Sequence, residues 1–251
     1  PVEVCIAFEA LGRHAAPGPW VESAAYLPIA LGHEVEGVST VAVPPHVPYA
    51  LDADVADRVF LVDGDALVSA TVREVKTSID GTRRLGVVSA AASPAVEEGR
   101  RPVTKPDLDP AFDLAVLATA AQLLGAGERI LADSVTYVKQ RKQFGREIGS
   151  YQAIKHQLAD VRIALDFARP LIDGAAVLFD GPDRARDVSA AKVAAGDAAY
   201  LASRVGLQVH GAIGYTAEFD LSLWLLKVRA LVTAWGAPDF HRGRVLESLT
   251  S

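Results

Sequence analysis

Arg141, Lys142, Gln143, Phe144 and Arg146 crowd three cations, an amide and an aromatic ring into a short stretch between two long helical patterns. Cations at a helix end can meet phosphate oxygens, and a guanidinium does so as a two-pronged fork. An aromatic ring beside them can lie against a flat base or a cation. A solvated basic turn between helices has the same make-up and is the commoner fate of such a run. The company the stretch keeps decides between the two.

Other chemistry is sparse. Cys5 is the single cysteine and sits in an apolar run, so it reads as core; one cysteine also excludes a disulfide framework and suits a reducing, cytoplasmic setting. The sequence holds no Cys/His cluster with metal spacing, no phosphate-binding glycine loop and no G-x-S-x-G elbow. A net charge of -6 without a long single-sign run argues against a nucleic-acid surface. No uninterrupted apolar run is long enough to span a bilayer, and no signal peptide is visible. The chain begins at Pro1 and contains no methionine, so it is expected to be trimmed or part of a longer product.

Three segments must position the basic stretch. Residues 1–31 read as a partial N-terminal helical segment: Val4, Ala7, Phe8 and Leu11 keep helical spacing, Gly12 stops them, His14 to Pro19 is a break, and a short helix follows from Val21 to Leu31. Residues 32–104 read as a small β domain, with β-branched runs at Val38–Val43, Arg58–Val62, Ala66–Val72 and Leu85–Ser89 and a hairpin signal at Asp63-Gly64. Pro102 to Pro110 reads as a linker. Residues 105–251 read as a four-helix-bundle domain. Its first helix, from Pro110 to Lys139, has the stripe Leu117, Ala121, Leu124, Glu128, Leu131, Val135 and Val138. The second starts near Ser150 as N-cap and turns Ile154, Leu158, Val161, Leu165, Ala168, Ile172, Ala175 and Phe179 inward, with Pro170 to be absorbed. A third carries Ala191, Ala194, Ala198, Leu201 and Val205; a fourth runs from Glu218 through Trp235, breaks at Gly236-Ala237-Pro238 and resumes to Leu249. The fold class is mainly α with a small β module.

A helix ending in Arg141-Lys142-Gln143-Phe144-Gly145, then Ile148-Gly149-Ser150-Tyr151-Gln152 and Leu158-Ala159-Asp160, resembles the acyl-CoA dehydrogenase family. So does Gln208 through Glu218, Gln-Val-His-Gly-Ala-Ile-Gly-Tyr-Thr-Ala-Glu, at the matching distance downstream. The resemblance is strong over residues 110–250. It implies an FAD enzyme that introduces an α,β double bond into an acyl-CoA thioester, in fatty acid or lipid breakdown, and is reoxidised by an electron-transfer flavoprotein. It also implies that Arg141 pairs with the pyrophosphate of a neighbouring subunit's FAD, with Lys142, Gln143 and Phe144 beside the adenine half. Tyr151, Gln152 and the run Gln208, Val209, Gly211, Ala212 would follow the same half. Without the resemblance, Gln208 and Gly211 read as a polar cap and a turn glycine.

The departures matter as much. The family's catalytic glutamate falls at Trp235 here, and an indole accepts no proton. The alternative base position, near Ala115, also lacks a carboxylate, and Val116 stands close to where the family has an arginine. The segments that cover the flavin ring in the family are absent from residues 32–104. Glu128, the one charge on its stripe, reads as a bundle position paired with an arginine such as Arg129 or Arg162; Asp239 and His241 stand just after Trp235 within reach of a cleft, where a lone histidine reads as a surface or capping residue. The expectation is therefore a chain without a catalytic base, assembled with a catalytic acyl-CoA dehydrogenase subunit, with itself through the bundle, or both, in a bacterial cytoplasm. The alternatives are a self-sufficient homo-oligomeric dehydrogenase with a relocated base, and a non-enzymatic helical assembly protein.

Overall fold

The computed structural model describes residues 1–91, 105–216 and 220–250. Helix α1 (Val2–Arg13) is followed by a helical segment whose middle, Glu22–Tyr26, widens into a π-helical turn before α2 (Leu27–Leu31). The strands are β1 (Ser39–Ala42), β2 (Ala50–Leu51), β3 (Arg58–Asp63), β4 (Ala66–Thr77) and β5 (Arg84–Ala90). They form one sheet in the order β1-β3-β4-β5-β2. β1 pairs with β3 in parallel, and β3, β4 and β5 are antiparallel. Asp63 pairs with Ala66 across a two-residue turn begun by left-handed Gly64, as Asp63-Gly64 signals. The two-residue β2 is too short to leave a pattern.

The helical part holds α3 (Lys105–Gln140), α4 (Gln152–Val177), α5 (Arg184–His210), α6 (Leu221–Thr233) and α7 (Pro238–Thr250). Helix α3 starts five residues before Pro110, so the second half of the expected linker is helix, and its first half lies outside the described residues. From Ala111 to Ala126 it is buried almost all round, because α1, α4, α5 and α6 surround it; this explains an apolar helix of membrane-spanning length. Ser150 is not the cap of α4. It lies in a 3-10 turn, Tyr151 precedes the helix, and the Ser150 hydroxyl donates to the Glu147 carbonyl at 2.7 Å. Pro170 is absorbed within a continuous α4.

Helices α1 and α3 cross in backbone contact. A Cβ on Gly12 would lie 2.0 Å from the Gln122 carbonyl oxygen, and one on Gly125 2.0 Å from that of Glu9, so both positions require glycine. The crossing carries a charged network. Glu128, whose side chain is 11% exposed, receives Arg13 and Arg169, and Arg169 also grips Glu9 at 2.8 and 3.0 Å. Glu128 is thus a paired bundle residue, but its partners are not the expected ones: Arg129 binds Asp133 and Arg162 binds Asp166. The sheet docks on the bundle where Lys227 of α6 meets Asp80 at 3.2 Å and donates to the Thr82 hydroxyl at 3.0 Å.

Candidate functional site

At the end of α3 the basic stretch folds into a small hairpin, β6 (Lys142–Gln143) against β7 (Arg146–Glu147). Its two turn residues, Phe144 and Gly145, both have positive φ, 52° and 78°. Tight hairpins demand this, and asparagine-glycine ordinarily supplies it. A phenylalanine there is a conformational outlier, and its ring is 92% exposed. Neither backbone comfort nor burial explains that residue, which is the usual mark of a side chain kept for contact with something else. Arg141, Lys142, Gln143 and Arg146 are exposed around it. The Arg146 guanidinium lies 3.8 Å over the half-buried Tyr151 ring, and Gln152 opens α4 in solvent. Gly149 lets this turn press on α3, since a Cβ there would sit 3.0 Å from the Val138 carbonyl oxygen.

The second stretch reaches the same end of the bundle. Tyr137, one turn before the end of α3, stacks on His210 at the end of α5 with centroids 4.2 Å apart. Gln208, Gly211 and Ala212 are exposed; Gly211 ends the helix at φ 62°, ψ -139°, a conformation only glycine adopts readily. Val209 is different: it is 6% exposed and turns into the bundle, so only its backbone faces outward. Ala217 and Glu218, the end of the motif, lie outside the described residues.

The region around Trp235 has the opposite character. Trp235 is 2% exposed in the loop between α6 and α7, left-handed at φ 58°. Tyr26 and Phe112 pack on its ring at 5.2 and 5.9 Å. The loop is fastened from two sides. Lys192 of α5 donates to the Leu231 and Val232 carbonyls at 3.0 Å each, a cation placed at the C-terminal end of α6. Burial nevertheless pushes its ammonium down to about 7. His241 is fully buried, neither surface nor exposed cap as its sequence position suggests. Its Nε2 faces the Trp235 carbonyl at 3.0 Å and its Nδ1 the Ser189 hydroxyl at 3.2 Å. Neutral His241 satisfies both by donating from Nε2 and accepting at Nδ1. Burial and the Lys192 charge, which push its pKa down to about 3, favour that state. Asp239 is fully in solvent beside Arg242.

A cleft of about 510 Å³ opens between the sheet and the bundle, lined by His46, Phe112, Asp113, Arg184, Phe240 and Arg244 among others. Tyr26 and Phe112 form part of its wall and also pack on Trp235, so the aromatic cluster closes its inner end. The buried Asp113 carboxylate is held by Arg184 at 2.9 Å and Arg244 at 2.7 Å. One buried carboxyl has no signature in the sequence. Glu22, in the π-helical turn, is 2% exposed, its Oε2 has no hydrogen-bond partner, and burial pushes its pKa up to about 7. It lines a cavity of about 20 Å³ with Gln122, Lys227 and Trp235, room for about one water molecule. Only the charge itself, two residues after Trp20 in a helical run, could have flagged it.

Residues 110–250 match the family model described as acyl-CoA dehydrogenase, C-terminal domain. The chain belongs to the acyl-CoA dehydrogenase family. Acyl-CoA dehydrogenase IpdE2 of Mycolicibacterium smegmatis is 32% identical over 205 residues, 80% of this chain and 60% of that protein. Its namesake in Mycobacterium tuberculosis is 31% identical over 235 residues, 88% and 70% of the two chains. This chain therefore spans only part of each relative. The same fold occurs in the ChsE4-ChsE5 complex from Mycobacterium tuberculosis, with TM-score 0.86, 21% identity, and 99% of this chain on 80% of that one. It occurs too in butyryl-CoA dehydrogenase from Megasphaera elsdenii, with TM-score 0.85, 17% identity, and 98% on 81%. Acyl-CoA dehydrogenases are FAD-binding oxidoreductases. The residues here fit one half of that cofactor: exposed cations and an unexplained aromatic ring suit a diphosphate and an adenine. Around Trp235, by contrast, Tyr26 and Phe112 pack on the indole and the cavity beside it measures only about 20 Å³.

Proposed function

We propose that this chain is the subunit without a catalytic base in a hetro-oligomeric acyl-CoA dehydrogenase. The observation that carries the reading is Trp235, packed and fastened at the position that the family resemblance gives to the base, in a chain whose hairpin is exposed and strained. Arg141 and Lys142 would meet the pyrophosphate of an FAD held mainly by the catalytic subunit, with Gln143, Phe144, Tyr151 and Gln152 toward the adenine. Gln208, Gly211, Ala212 and the backbone of Val209 would follow the same half from α5. The bound flavin supplies the hydride acceptor; this chain's residues bind and orient it. An acyl-CoA substrate, an electron-transfer flavoprotein as oxidant and a cytoplasmic setting complete the proposal. The naming of a two-protein complex among the structural neighbours is in keeping with it.

Co-purification with dehydrogenase subunits encoded beside it tests this. The complex should show flavin absorbance and acyl-CoA-dependent dye reduction, and the isolated chain neither. A chain that stays apart from every candidate and binds no flavin in any combination ends the proposal.

Glu22 motivates a second reading, a self-sufficient enzyme with a relocated base. It is a buried carboxyl beside Trp235 with a raised pKa, as a general base requires. Its cavity of about 20 Å³ admits no thioester unless Trp235 moves. Acyl-CoA turnover by the pure chain that disappears in Glu22→Gln would establish this reading, and no turnover would remove it.

A further inference from the structure

Two segments carry the exposed residues assigned above to the cofactor: the β6–β7 hairpin after α3, and the Gly211 turn after α5. They come from different helices, so a ligand that touches both needs their spacing fixed. Tyr137 and His210 stand at the join. The Arg141 backbone amide, where the hairpin begins, donates to the Tyr137 carbonyl at 2.9 Å. The Arg141 carbonyl accepts from the Ile148 amide at 2.9 Å, which closes the hairpin. The Tyr137 ring stacks on His210 with the planes 26° from parallel. His210 is the last residue of α5 and leads straight into Gly211. The backbone of Tyr137 thus holds one segment, and its side chain holds the residue that starts the other.

The His210 ring is itself fixed. It is 4% exposed, and its Nδ1–H donates to the Gly206 carbonyl at 2.7 Å. Two glycines bring backbone close on either side. A Cβ on Gly206 would lie 2.7 Å from the Ile130 Cγ2, so α5 runs tight against α3 one turn before the stack. A Cβ on Gly214 would lie 3.2 Å from the His210 Cβ, so the turn after α5 folds back over the histidine. Tyr137 itself is only half-buried, at the frayed end of its helix. Two stacked flat rings fix tilt as well as distance, which an aliphatic contact does not.

We propose that Tyr137 and His210 are positioning residues for the cofactor: their stack sets the spacing and tilt between the hairpin and the Gly211 turn, so that one diphosphate–adenine half meets both. The inference rests on the reading of these segments as cofactor-facing. Neither ring has to touch the ligand.

The first test reads the spacing without flavin. Spin labels on Glu147→Cys and Ile213→Cys, both exposed positions, report it in the full chain, where Cys5 is buried. One narrow distance is expected with Tyr137 or Tyr137→Phe, and a broadened distribution with Tyr137→Ala or His210→Ala. The second test reads the FAD affinity of the assembled complex at equal assembly mass. Tyr137→Ala and His210→Ala should each weaken FAD about tenfold. The double variant should be no weaker than either single one, and Tyr137→Phe should match wild type. Tyr137→Leu, which fills the space without a flat ring, replaces Tyr137→Ala should that variant not assemble. Unchanged distances, additive losses of affinity, or wild-type affinity in the alanine variants would each overturn the proposal. Arg141→Ala separates the two ideas. If it loses flavin while Tyr137→Ala and His210→Ala keep it, the positioning role is wrong and the cofactor reading stands. If Arg141→Ala also keeps flavin, the cofactor reading has failed and the proposal with it.

Discussion

Two aromatic residues with left-handed backbones, Phe144 and Trp235, have opposite surroundings. At the hairpin, Phe144 occupies a left-handed turn position with its ring in solvent, and cations surround it. At the α6–α7 loop, Trp235 also occupies a left-handed position, but its ring is buried between Tyr26 and Phe112 and its backbone is held through His241 and the Lys192-capped end of α6. Both backbones are strained; only the second is explained by packing. A left-handed aromatic that fills a core serves stability. One that points into water serves contact. The hairpin thus has the posture of a binding surface, while the loop that carries Trp235 is core.

The largest test of that contrast is Trp235→Ala. Removing a buried indole should cost about 3–5 kcal/mol of stability, read as a lowered denaturation midpoint. A loss near zero would mean that Trp235 is a movable plug rather than core.

Glu22→Gln should give the next largest effect, and its sign depends on pH. Folded Glu22 titrates near 7 against an ordinary value of 4.5, so the fold binds the extra proton between those values. Wild-type stability therefore falls as pH rises from about 4.5 to 7, and the penalty persists above 7. The amide removes that slope and should be more stable than wild type at pH 8, by about 1–3 kcal/mol. Urea titrations at pH 5 and pH 8 check it; parallel curves for the two proteins would show that Glu22 is not held in an unfavourable charged state. Lys192 has the opposite sign. Its pKa falls from 10.5 to about 7, so the unfolded chain binds more protons between those values and stability rises with pH across that window. Lys192→Met should flatten that rise.

The smallest change in stability is expected at Phe144→Gly, and this sharpens the comparison most. Glycine relieves the left-handed turn and removes an exposed ring, so stability should stay level or rise by up to about 1 kcal/mol. Flavin retention by the assembled complex should nonetheless fall. A variant that loses stability without losing flavin would make Phe144 a structural residue.

Much of this was legible in the sequence because periodicity reports burial. The apolar stripes of α3, α4 and α5, the β-branched strands and the Asp63-Gly64 turn follow from local chemistry alone. The basic stretch was visible for the same reason, as residue types in a short window. Long-range pairings left no such trace. The partners of Glu128 lie 115 and 41 residues away, at Arg13 and Arg169, and nearer arginines looked equally suitable. Glu22 was hidden in a π-helical turn with no distinct pattern. Lys192 interrupts a small-residue helix face, a signal that marks the position but not its partners on α6. Val209 belongs to a run whose other cofactor candidates are exposed, although helical phase turns its own side chain inward.

The flavin content of the assembled complex, with wild-type chain or with Arg141→Ala, tests the central claim most directly. Arg141 is exposed and its side chain is not part of the core, so the variant should fold and assemble normally. The partner-subunit reading predicts that the variant complex loses FAD on dialysis while the wild-type complex keeps it, at equal assembly mass. Equal flavin retention by the two complexes would contradict it.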